Sequence, residues 1–268
     1  MAPSEDAPAR RLVDLLEEIA SAATADASGP TVSALARALD RDKSSVSRQL
    51  KLLTELGLVE KGDDGSHVLG WRLFTLAARA GDQRLLQLAP TVMRELVRAT
   101  NERVHLTVRD QDEVLTILTE GPSRAVSAVG WVGRTVPILS TSSGRALMLD
   151  DDELEVRALV ARRLGDTDAA GDTPTVRRAL DRIEQARATG YTVSIGEFED
   201  GLSAVAAPVR DVHGRIIAAI NVSAPAYRFD ARLPEVAPLV QRAAQQLSGA
   251  IASPAARATA RAGTADDV

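Results

Sequence analysis

The fold of this chain is decided by residues 31–70, which read TVSALARALD RDKSSVSRQL KLLTELGLVE KGDDGSHVLG. The apolar positions of the first ten residues have the spacing of a helix with one buried face: Val32, Leu35, Ala36 and Leu39. Three consecutive charged residues at 40–42 interrupt this pattern. A second helical run ends at Gly57, because glycine suits the left-handed conformation that closes a helix. Two short helices joined by so short a turn predict a helix-turn-helix.

The second helix has one apolar face and one polar face. Val46, Leu50 and Leu53 define the buried side, so the hydroxyl and basic side chains point outward. Hydroxyls and a long basic fork near a helix N-terminus suit base edges in a major groove, and a lysine suits a phosphate. The residues expected to contact DNA are Thr31, Ser33, Lys43, Ser44, Ser45, Ser47, Arg48, Lys51 and Lys61. Thr31 also stands where the first helix needs an N-cap oxygen.

A β-hairpin is predicted directly after the second helix. Residues 58–61 and 67–69 have strand character and flank the loop 62–65, which has glycine at both ends. Helix-turn-helix spacing alone also fits a small helical bundle with a solvated polar face. The hairpin favours DNA binding over that alternative, because it completes a winged helix-turn-helix.

Length and composition bound the rest of the chain. With 268 residues and 45% hydrophobic content, two domains with real cores are expected. No window is long and apolar enough to span a membrane. The absence of cysteine excludes disulfides and thiolate metal sites, and it fits a cytoplasmic protein.

Positive charge is concentrated in the helix-turn-helix although the chain is acidic, with a net charge of −5. All three lysines lie in this stretch, and residues 37–51 hold five basic side chains against two acidic ones. A local patch on an acidic chain predicts a dimer that reads a defined palindromic operator in double-stranded DNA. Seven aromatic residues are too few for a platform that stacks single-stranded bases.

The second half of the chain alternates strands and helices. Strands are predicted at 104–108, 114–118, 126–129, 135–139, 191–195, 204–210 and 215–223. Over the whole chain outside the helix-turn-helix, helices are predicted at 10–25, 71–80, 85–100, 142–149, 152–163, 175–189 and 234–251. This order predicts an α+β protein in which one sheet of the C-terminal domain has helices outside it.

The expected domain organisation has five parts. They are a disordered N-terminus (1–9), a winged helix-turn-helix DNA-binding domain (10–70), a linker helix (71–84), an effector-binding domain (85–252) and a disordered tail (253–268).

Several motifs resemble the IclR family of bacterial transcription regulators. They are KSSVSRQL at 43–50, LGLVE at 56–60, LGWRL at 69–73, VGR at 132–134, TSSGRAL at 141–147 and the run 201–223. The resemblance covers about residues 10–252. It implies a winged helix-turn-helix, a linker helix and a GAF-like domain that binds a small metabolite, assembled as dimers or tetramers. The sequence departs from the family at Arg145, where lysine is usual, and at Leu139, which is often histidine.

The resemblance also implies where an effector would bind. The family's pocket positions correspond to Ala128, Val136, Ser142, Ser143, Ser194, Leu202, Ala204, Asn221 and Ser223. Ser142 or Ser143 is expected to cap a helix whose free N–H groups could meet a carboxylate. The alternative is that Ser142 serves only as a cap and that Asn221 satisfies buried backbone groups.

The residue types at these positions suggest a ligand class. Ala128 and Ala204 are small and leave volume for a ring, while Leu202 and Val136 supply apolar walls. An apolar cleft with one polar end that favours an anion predicts a small organic acid, and an aromatic carboxylate in particular.

Enzyme motifs are missing from the sequence. It has no Gly-x-Ser-x-Gly elbow, no Ser-x-x-Lys and no Gly-rich phosphate loop, and its three histidines are scattered. The acidic runs 150–153 and 197–200 are expected to be solvated, and neither a metal nor a cofactor is expected. The sequence therefore predicts a ligand-responsive, sequence-specific DNA-binding regulator, a repressor of a catabolic operon. The competing hypothesis is a metabolite sensor whose helix-turn-helix mediates protein contacts.

Overall fold

The computed structural model describes residues 8–23, 29–77, 83–122, 131–164 and 173–253. The chain divides into two compact units, residues 1–83 and 84–268. Residue Ala128, the predicted strand at 126–129, and most of the two predicted disordered ends lie outside the described residues.

The first unit contains the predicted winged helix-turn-helix. Its elements are α1 (Pro8–Ala23), α2 (Val32–Ala38), α3 (Lys43–Glu55), β1 (Val59–Lys61), β2 (His67–Leu69) and α4 (Trp71–Ala77). Thr31 caps α2 by accepting the N–H of Ala34, as predicted. Gly57 follows α3 with φ +70°, the left-handed conformation that its position requires. The helix-turn-helix therefore begins and ends where the sequence pattern indicates.

The core of this unit joins the three helices to the wing. Its buried side chains come from α1, α2, α3 and β1, and they are Leu15, Ile19, Leu35, Ala36, Val46, Leu50, Leu53 and Val59. A bridge between Thr31 and Ser66 and a bond from the His67 N–H to the Pro30 carbonyl attach the wing to the loop before α2. The wing is thus attached both to the core of the three helices and to the loop before α2.

Arg41 fastens the turn of the motif to α1. Its guanidinium donates to the Arg11 carbonyl at 3.0 Å and forms an ion pair with Asp14. Both side chains of the pair are about one-fifth exposed, so solvent screens the pair only in part. Arg41 therefore has a structural partner and is removed from the positive patch that the sequence predicts.

The second unit is built on a six-stranded antiparallel sheet. Its elements are α5 (Gln83–Thr100), β3 (Arg103–Asp110), β4 (Glu113–Glu120), β5 (Thr135–Pro137), α6 (Ser142–Leu147), α7 (Glu153–Leu164), α8 (Pro174–Thr189), β6 (Thr192–Ile195), β7 (Leu202–Arg210), β8 (Ile216–Pro225), α9 (Ala226–Phe229) and α10 (Leu233–Ala252). The strand order is β5-β4-β3-β8-β7-β6. The predicted α+β class with a GAF-like effector domain is confirmed.

Side-chain alternation assigns the two faces of this sheet to two different cores. Val104 and Leu106 of β3 pack with α5 and α10, together with Ile220 and Val222 of β8. Ala206 and Ala219 face the other way, toward α6, α7 and α8. Because successive strand residues point to opposite faces, His105, Thr107 and Asn221 lie on this second face as well.

Several predicted boundaries differ from the observed elements. The first helix is described over Pro8–Ala23 instead of 10–25, with 1–7 and 24–28 outside the described residues. The strand predicted at 135–139 ends at Pro137. The cap of α6 is Thr141 rather than Ser142 or Ser143, because Thr141 is extended and accepts the Gly144 N–H at 3.1 Å. That helix ends at Leu147 instead of 149. Within 71–84, helix is described only over Trp71–Ala77 and from Gln83 onward, and 78–82 lie outside the described residues.

Gly144 gives a direct test of how closely α6 is packed. A Cβ added there would lie 1.8 Å from the carbonyl oxygen of Ile138, so Gly144→Ala should destabilise the C-terminal domain by at least about 1–3 kcal/mol. Gly249, exposed in α10 with open space around its Cβ position, is the matched control, and Gly249→Ala should stabilise by about 0.5–1 kcal/mol. Urea unfolding followed by Trp131 fluorescence in a Trp71→Phe background measures both. Equal effects of the two substitutions would contradict this packing.

Candidate functional site

The outward face of α3 carries the polar residues that the sequence assigns to DNA. Val46, Leu50 and Leu53 are buried, whereas Ser44, Ser47, Arg48 and Lys51 are exposed. Thr31, Ser33, Lys43 and Lys61 are also exposed, and Ser45 is half-buried. All nine predicted residues therefore lie at the surface of the winged helix-turn-helix.

One of these hydroxyl groups on α3 is already bonded at the helix end, that of Ser44. Asp42 caps α3: its carboxylate accepts the Ser45 N–H at 3.0 Å and the Ser44 hydroxyl at 2.5 Å. The Ser44 hydroxyl, more than any other group, lowers the pKa of Asp42. Because a carboxylate occupies the N-terminus of α3, phosphates would have to be bound by side chains instead of by free N–H groups.

Basic side chains remain available on this surface. Arg48 forms no hydrogen bond or ion pair with any residue that the structure describes. Lys51 lies 3.9 Å from Glu55, but both side chains are highly exposed, so this pair contributes little. With Arg41 engaged by Asp14, the free cations of 37–51 are Arg37, Lys43, Arg48 and Lys51.

The C-terminal domain contains a cavity between the second face of its sheet, α6 and the loop 196–201. Eight of the nine predicted effector residues line it, namely Val136, Ser142, Ser143, Ser194, Leu202, Ala204, Asn221 and Ser223. The ninth, Ala128, lies outside the described residues. Strands, a helix and a loop that are distant in sequence thus bring the predicted set together. The cavity is small, about 60 Å³.

Two buried polar atoms in this cavity have no partner among the described residues: Ser142 Oγ and Asn221 Oδ1. A buried polar group without a hydrogen bond is costly, by roughly 1–3 kcal/mol, and such groups are rare in native structures. Since Thr141 caps α6, Ser142 is not the cap residue. Asn221 Oδ1 satisfies no backbone N–H. The two structural explanations considered from the sequence therefore fail, and both atoms are free to bind a ligand.

Sequence reasoning missed six lining residues, which are His105, Thr107, Thr116, Trp131, Thr141 and Phe198. The signal for two of them was present, because His105 and Thr107 alternate on β3, and His105 pairs in register with Asn221. Finding it required knowing which face of β3 turns toward α6.

His105 is a neutral wall of the cavity. Burial, assisted by the positive charge of Arg103, lowers the pKa of His105 to about 4. Its Nδ1 lies 3.0 Å from Thr119 Oγ1, and its ring centroid lies 5.6 Å from that of Trp131. A hydrogen bond on one side and an aromatic ring on the other fix the imidazole.

The lining of the cavity is mixed. Nine of the fourteen lining residues carry a hydroxyl, amide or imidazole group, and none of them is an arginine, lysine, aspartate or glutamate. The other five are apolar or aromatic, namely Trp131, Val136, Phe198, Leu202 and Ala204. The expectation of an apolar cleft with one polar end stays a prediction. A ligand here would be held by neutral donors and by the first N–H groups of α6, which have no acceptor within their helix.

Arg145 turns away from the cavity although it follows the lining residues of α6. Its buried guanidinium donates to both carboxylate oxygens of Glu197, at 3.0 and 3.1 Å, and Arg182 pairs with the same carboxylate. Burial lowers the pKa of Arg145, and the charge of Glu197 opposes that shift. Glu197 belongs to the loop that carries Phe198, so this pair anchors one wall of the cavity.

The acidic runs are largely exposed, as predicted, although several of their carboxylates form ion pairs. Glu197 pairs with two arginines, while Asp150 and Asp151 pair with Arg210 and Arg109, respectively. Within the described ranges, no group of three potential ligand side chains could hold a metal ion. None of the described helices is long and apolar enough to cross a membrane.

Two family models match this chain, one in its N-terminal part and one in its C-terminal part. Residues 78–249 match the family model "Bacterial transcriptional regulator IclR C-terminal", and residues 9–73 match a model described as HVO_A0114. The HTH-type transcriptional regulator KdgR of Escherichia coli is 30% identical over 220 residues, covering 81% of this chain and 84% of KdgR. KipR of Bacillus subtilis is 26% identical, covering 81% of this chain and 88% of KipR.

Solved structures share the fold. An IclR homologue of Microbacterium hydrocarbonoxydans, in complex with 4-hydroxybenzoate, has a TM-score of 0.70 at 24% identity and covers 90% of this chain and 97% of its own. The IclR protein of Thermotoga maritima has a TM-score of 0.66 at 22% identity, covering 91% and 98%.

The pKa of His105 predicts a pH dependence of stability. Its folded-state pKa lies below the ordinary value of 6.5, so the unfolded state binds the proton first as the pH falls. Stability from the neutral imidazole is complete above pH 6.5 and is lost toward pH 4, by about 3 kcal/mol in total. His105→Asn should therefore flatten the decline in free energy of unfolding over this window.

Thr119→Val is the control, because it removes the hydrogen-bond partner of His105 and leaves the imidazole in place. Urea unfolding of the three proteins between pH 4 and 7 measures the effect. A parent and a His105→Asn variant with parallel profiles would contradict a buried neutral histidine.

Proposed function

Because the chain belongs to the IclR family of bacterial transcriptional regulators, we propose that it is a sequence-specific DNA-binding repressor that responds to a small organic acid. The family model covers more than half of the chain, and KdgR of E. coli matches most of it. Its relatives are transcriptional regulators, which confirms the expectation that the chain is not an enzyme.

We assign the contact with DNA to the outward face of α3 and to the wing. The exposed Arg48 is unengaged among the described residues, and Ser47 and Lys51 stand beside it on the same helix. Four free cations on one small motif are too few for tight binding by a single copy. We therefore propose that the protein binds a palindromic operator as a homodimer, or as a tetramer of two dimers. The half-sites of this operator lie about one helical turn apart.

Repression is supported by relatives of similar length. AllR of Escherichia coli, named a transcriptional repressor, is 28% identical over 228 residues and covers 82% of this chain and 83% of AllR. A repressor that an organic acid releases from DNA suits control of a catabolic operon. The competing role, a sensor whose helix-turn-helix mediates protein contacts, predicts no binding to operator DNA.

The effector class rests on the unpartnered Ser142 Oγ and Asn221 Oδ1. Ser142 and Ser143 open α6, so hydroxyls and unpaired N–H groups converge on one end of the cavity, where a carboxylate would be held. The cavity of about 60 Å³ is far below the ~300 Å³ at the lower end of usual ligand sites. The small size favours a compact acid, and a hydroxy acid in particular, because its hydroxyl can donate to Asn221 Oδ1 while its carboxylate accepts from the Ser142 hydroxyl.

An aromatic acid is the second candidate. Trp131, Phe198 and His105 place three rings around the cavity, and a structural neighbour of this chain binds 4-hydroxybenzoate. A ring of that size needs a wider cavity, so the walls at Leu202 and Phe198 would have to move apart.

Substitutions on α3 test the DNA assignment. Arg48→Ala should weaken binding to the cognate operator by about 1–3 kcal/mol and relax specificity at one base position. Lys51→Ala should weaken binding to all duplexes alike and reduce the slope of affinity against salt by about one. Fluorescence anisotropy with the palindrome upstream of the protein's own gene, and with a scrambled duplex, separates the two effects. Unchanged operator affinity in Arg48→Ala would place the reading face elsewhere.

A panel of acids and two cavity variants test the effector class. Glycolate and lactate should release the parent protein from its operator, because each carries a hydroxyl that can donate to Asn221 Oδ1, and benzoate should not. Leu202→Ala should widen the cavity and admit benzoate, whereas Ala204→Leu should fill it and weaken every response by about tenfold or more. Operator affinity without acid serves as the control and should stay unchanged in both. A parent protein that responds to benzoate and ignores lactate would support the aromatic candidate instead.

A further inference from the structure

The C-terminal domain contains a second concave surface, which we call the arginine cleft. It is lined by Arg94, Arg98, Arg228 and Arg232, with Glu102 and Glu120 between them, and has a volume of about 840 Å³. None of its lining residues lines the effector cavity. The proposed regulatory function makes no use of this cleft.

A buried carboxylate fixes two of the four arginines. The side chain of Glu102 is only 6% exposed, and its oxygens accept from Arg228 at 3.1 and 2.7 Å. Arg232 lies 3.7 Å from the same carboxylate and donates to the Thr100 carbonyl at 3.0 Å. These bonds hold two guanidinium groups in place at the end of α5, before any ligand arrives.

The other two arginines are less engaged. Arg94 shares an exposed ion pair with Glu120 at 3.3 Å. Arg98 forms no hydrogen bond or ion pair with another residue in the part of the chain that the structure describes. A basic residue in the last turn of a helix is favoured by the helix dipole. For α5, Arg232 already places a positive charge at the C-terminal end, since it binds the terminal carbonyl of this helix.

Charge and shape together define the ligand. Four arginines against two glutamates leave the cleft with a formal charge of +2, which matches a dianion. Its volume falls within the range of small-molecule sites, about 300–1,000 Å³, and guanidinium forks match the geometry of phosphate oxygens. We propose that the arginine cleft binds a phosphate dianion, either free phosphate or the phosphate group of a phosphomonoester.

Calorimetric titration of the full chain with inorganic phosphate and with phenyl phosphate tests this proposal, with chloride used to match ionic strength. We expect binding with a Kd of about 1 mM or tighter. Arg98→Ala should weaken it by about tenfold or more, because a charge-assisted pair is lost while no buried partner is left behind. Arg178→Ala is the matched control, since this exposed arginine of α8 lies away from the cleft and should change the Kd by less than about twofold.

Arg98→Lys adds a second measurement, because it keeps the charge and loses the fork, and it should give an intermediate Kd. Circular dichroism checks that each variant folds. Equal binding of the two probes indicates recognition of the phosphate group itself, and binding of inorganic phosphate alone indicates the free ion. Absence of phosphate binding, or equal losses in Arg98→Ala and Arg178→Ala, would overturn the proposal.

Discussion

The antiparallel pairing of β3 with β8 is the constraint on which the C-terminal domain depends. Its register sets Val104 opposite Val222 and His105 opposite Asn221. Since side chains alternate along a strand, filling one face with the apolar core of α5 and α10 sends His105 and Asn221 to the other face. A shift of one residue would bury the polar set in that core and expose its apolar partners. The ligand cavity is thus a direct consequence of the register that builds the core.

Most of the local structure follows from the sequence, whereas part of the cavity lining does not. The helix-turn-helix, the wing and the hairpin of β3 and β4 depend on short-range patterns that a single chain displays. The cap of α6 was misassigned because Thr141, Ser142 and Ser143 can all cap a helix, and only the extended backbone of Thr141 decides among them. His105 and Thr116 were missed because the sequence does not reveal which face of a central strand meets α6. The arginine cleft joins Glu102 to Arg228 across 126 positions, a distance that no periodicity reports.

Ion pairs beside the cavity hold its loop in position, although the charged groups lose contact with water. Arg145 is almost fully buried, and removing its charge from water costs several kcal/mol unless a partner compensates. Glu197 provides that partner and belongs to the loop that brings Phe198 to the cavity. An arginine at this position suits the geometry, because a guanidinium can bind both carboxylate oxygens at once. Arg145 therefore acts on the shape of the cavity rather than on its charge.

The unpartnered atoms of the cavity explain how a small ligand could change the state of the domain. A ligand shifts a conformational equilibrium only by its difference in affinity for the two states. Leaving Ser142 Oγ and Asn221 Oδ1 without hydrogen bonds costs about 1–3 kcal/mol each, so the empty cavity is a disfavoured arrangement. A hydroxy acid would remove that cost in this arrangement alone, because its hydroxyl can donate to Asn221 Oδ1 and its carboxylate can accept from the Ser142 hydroxyl. Since about 1.4 kcal/mol corresponds to a tenfold change in an equilibrium, two such bonds supply a shift of at least tenfold. The strands that line the cavity on one face of the sheet pack against α5 and α10 on the other, so the cavity and these two helices share the same strands.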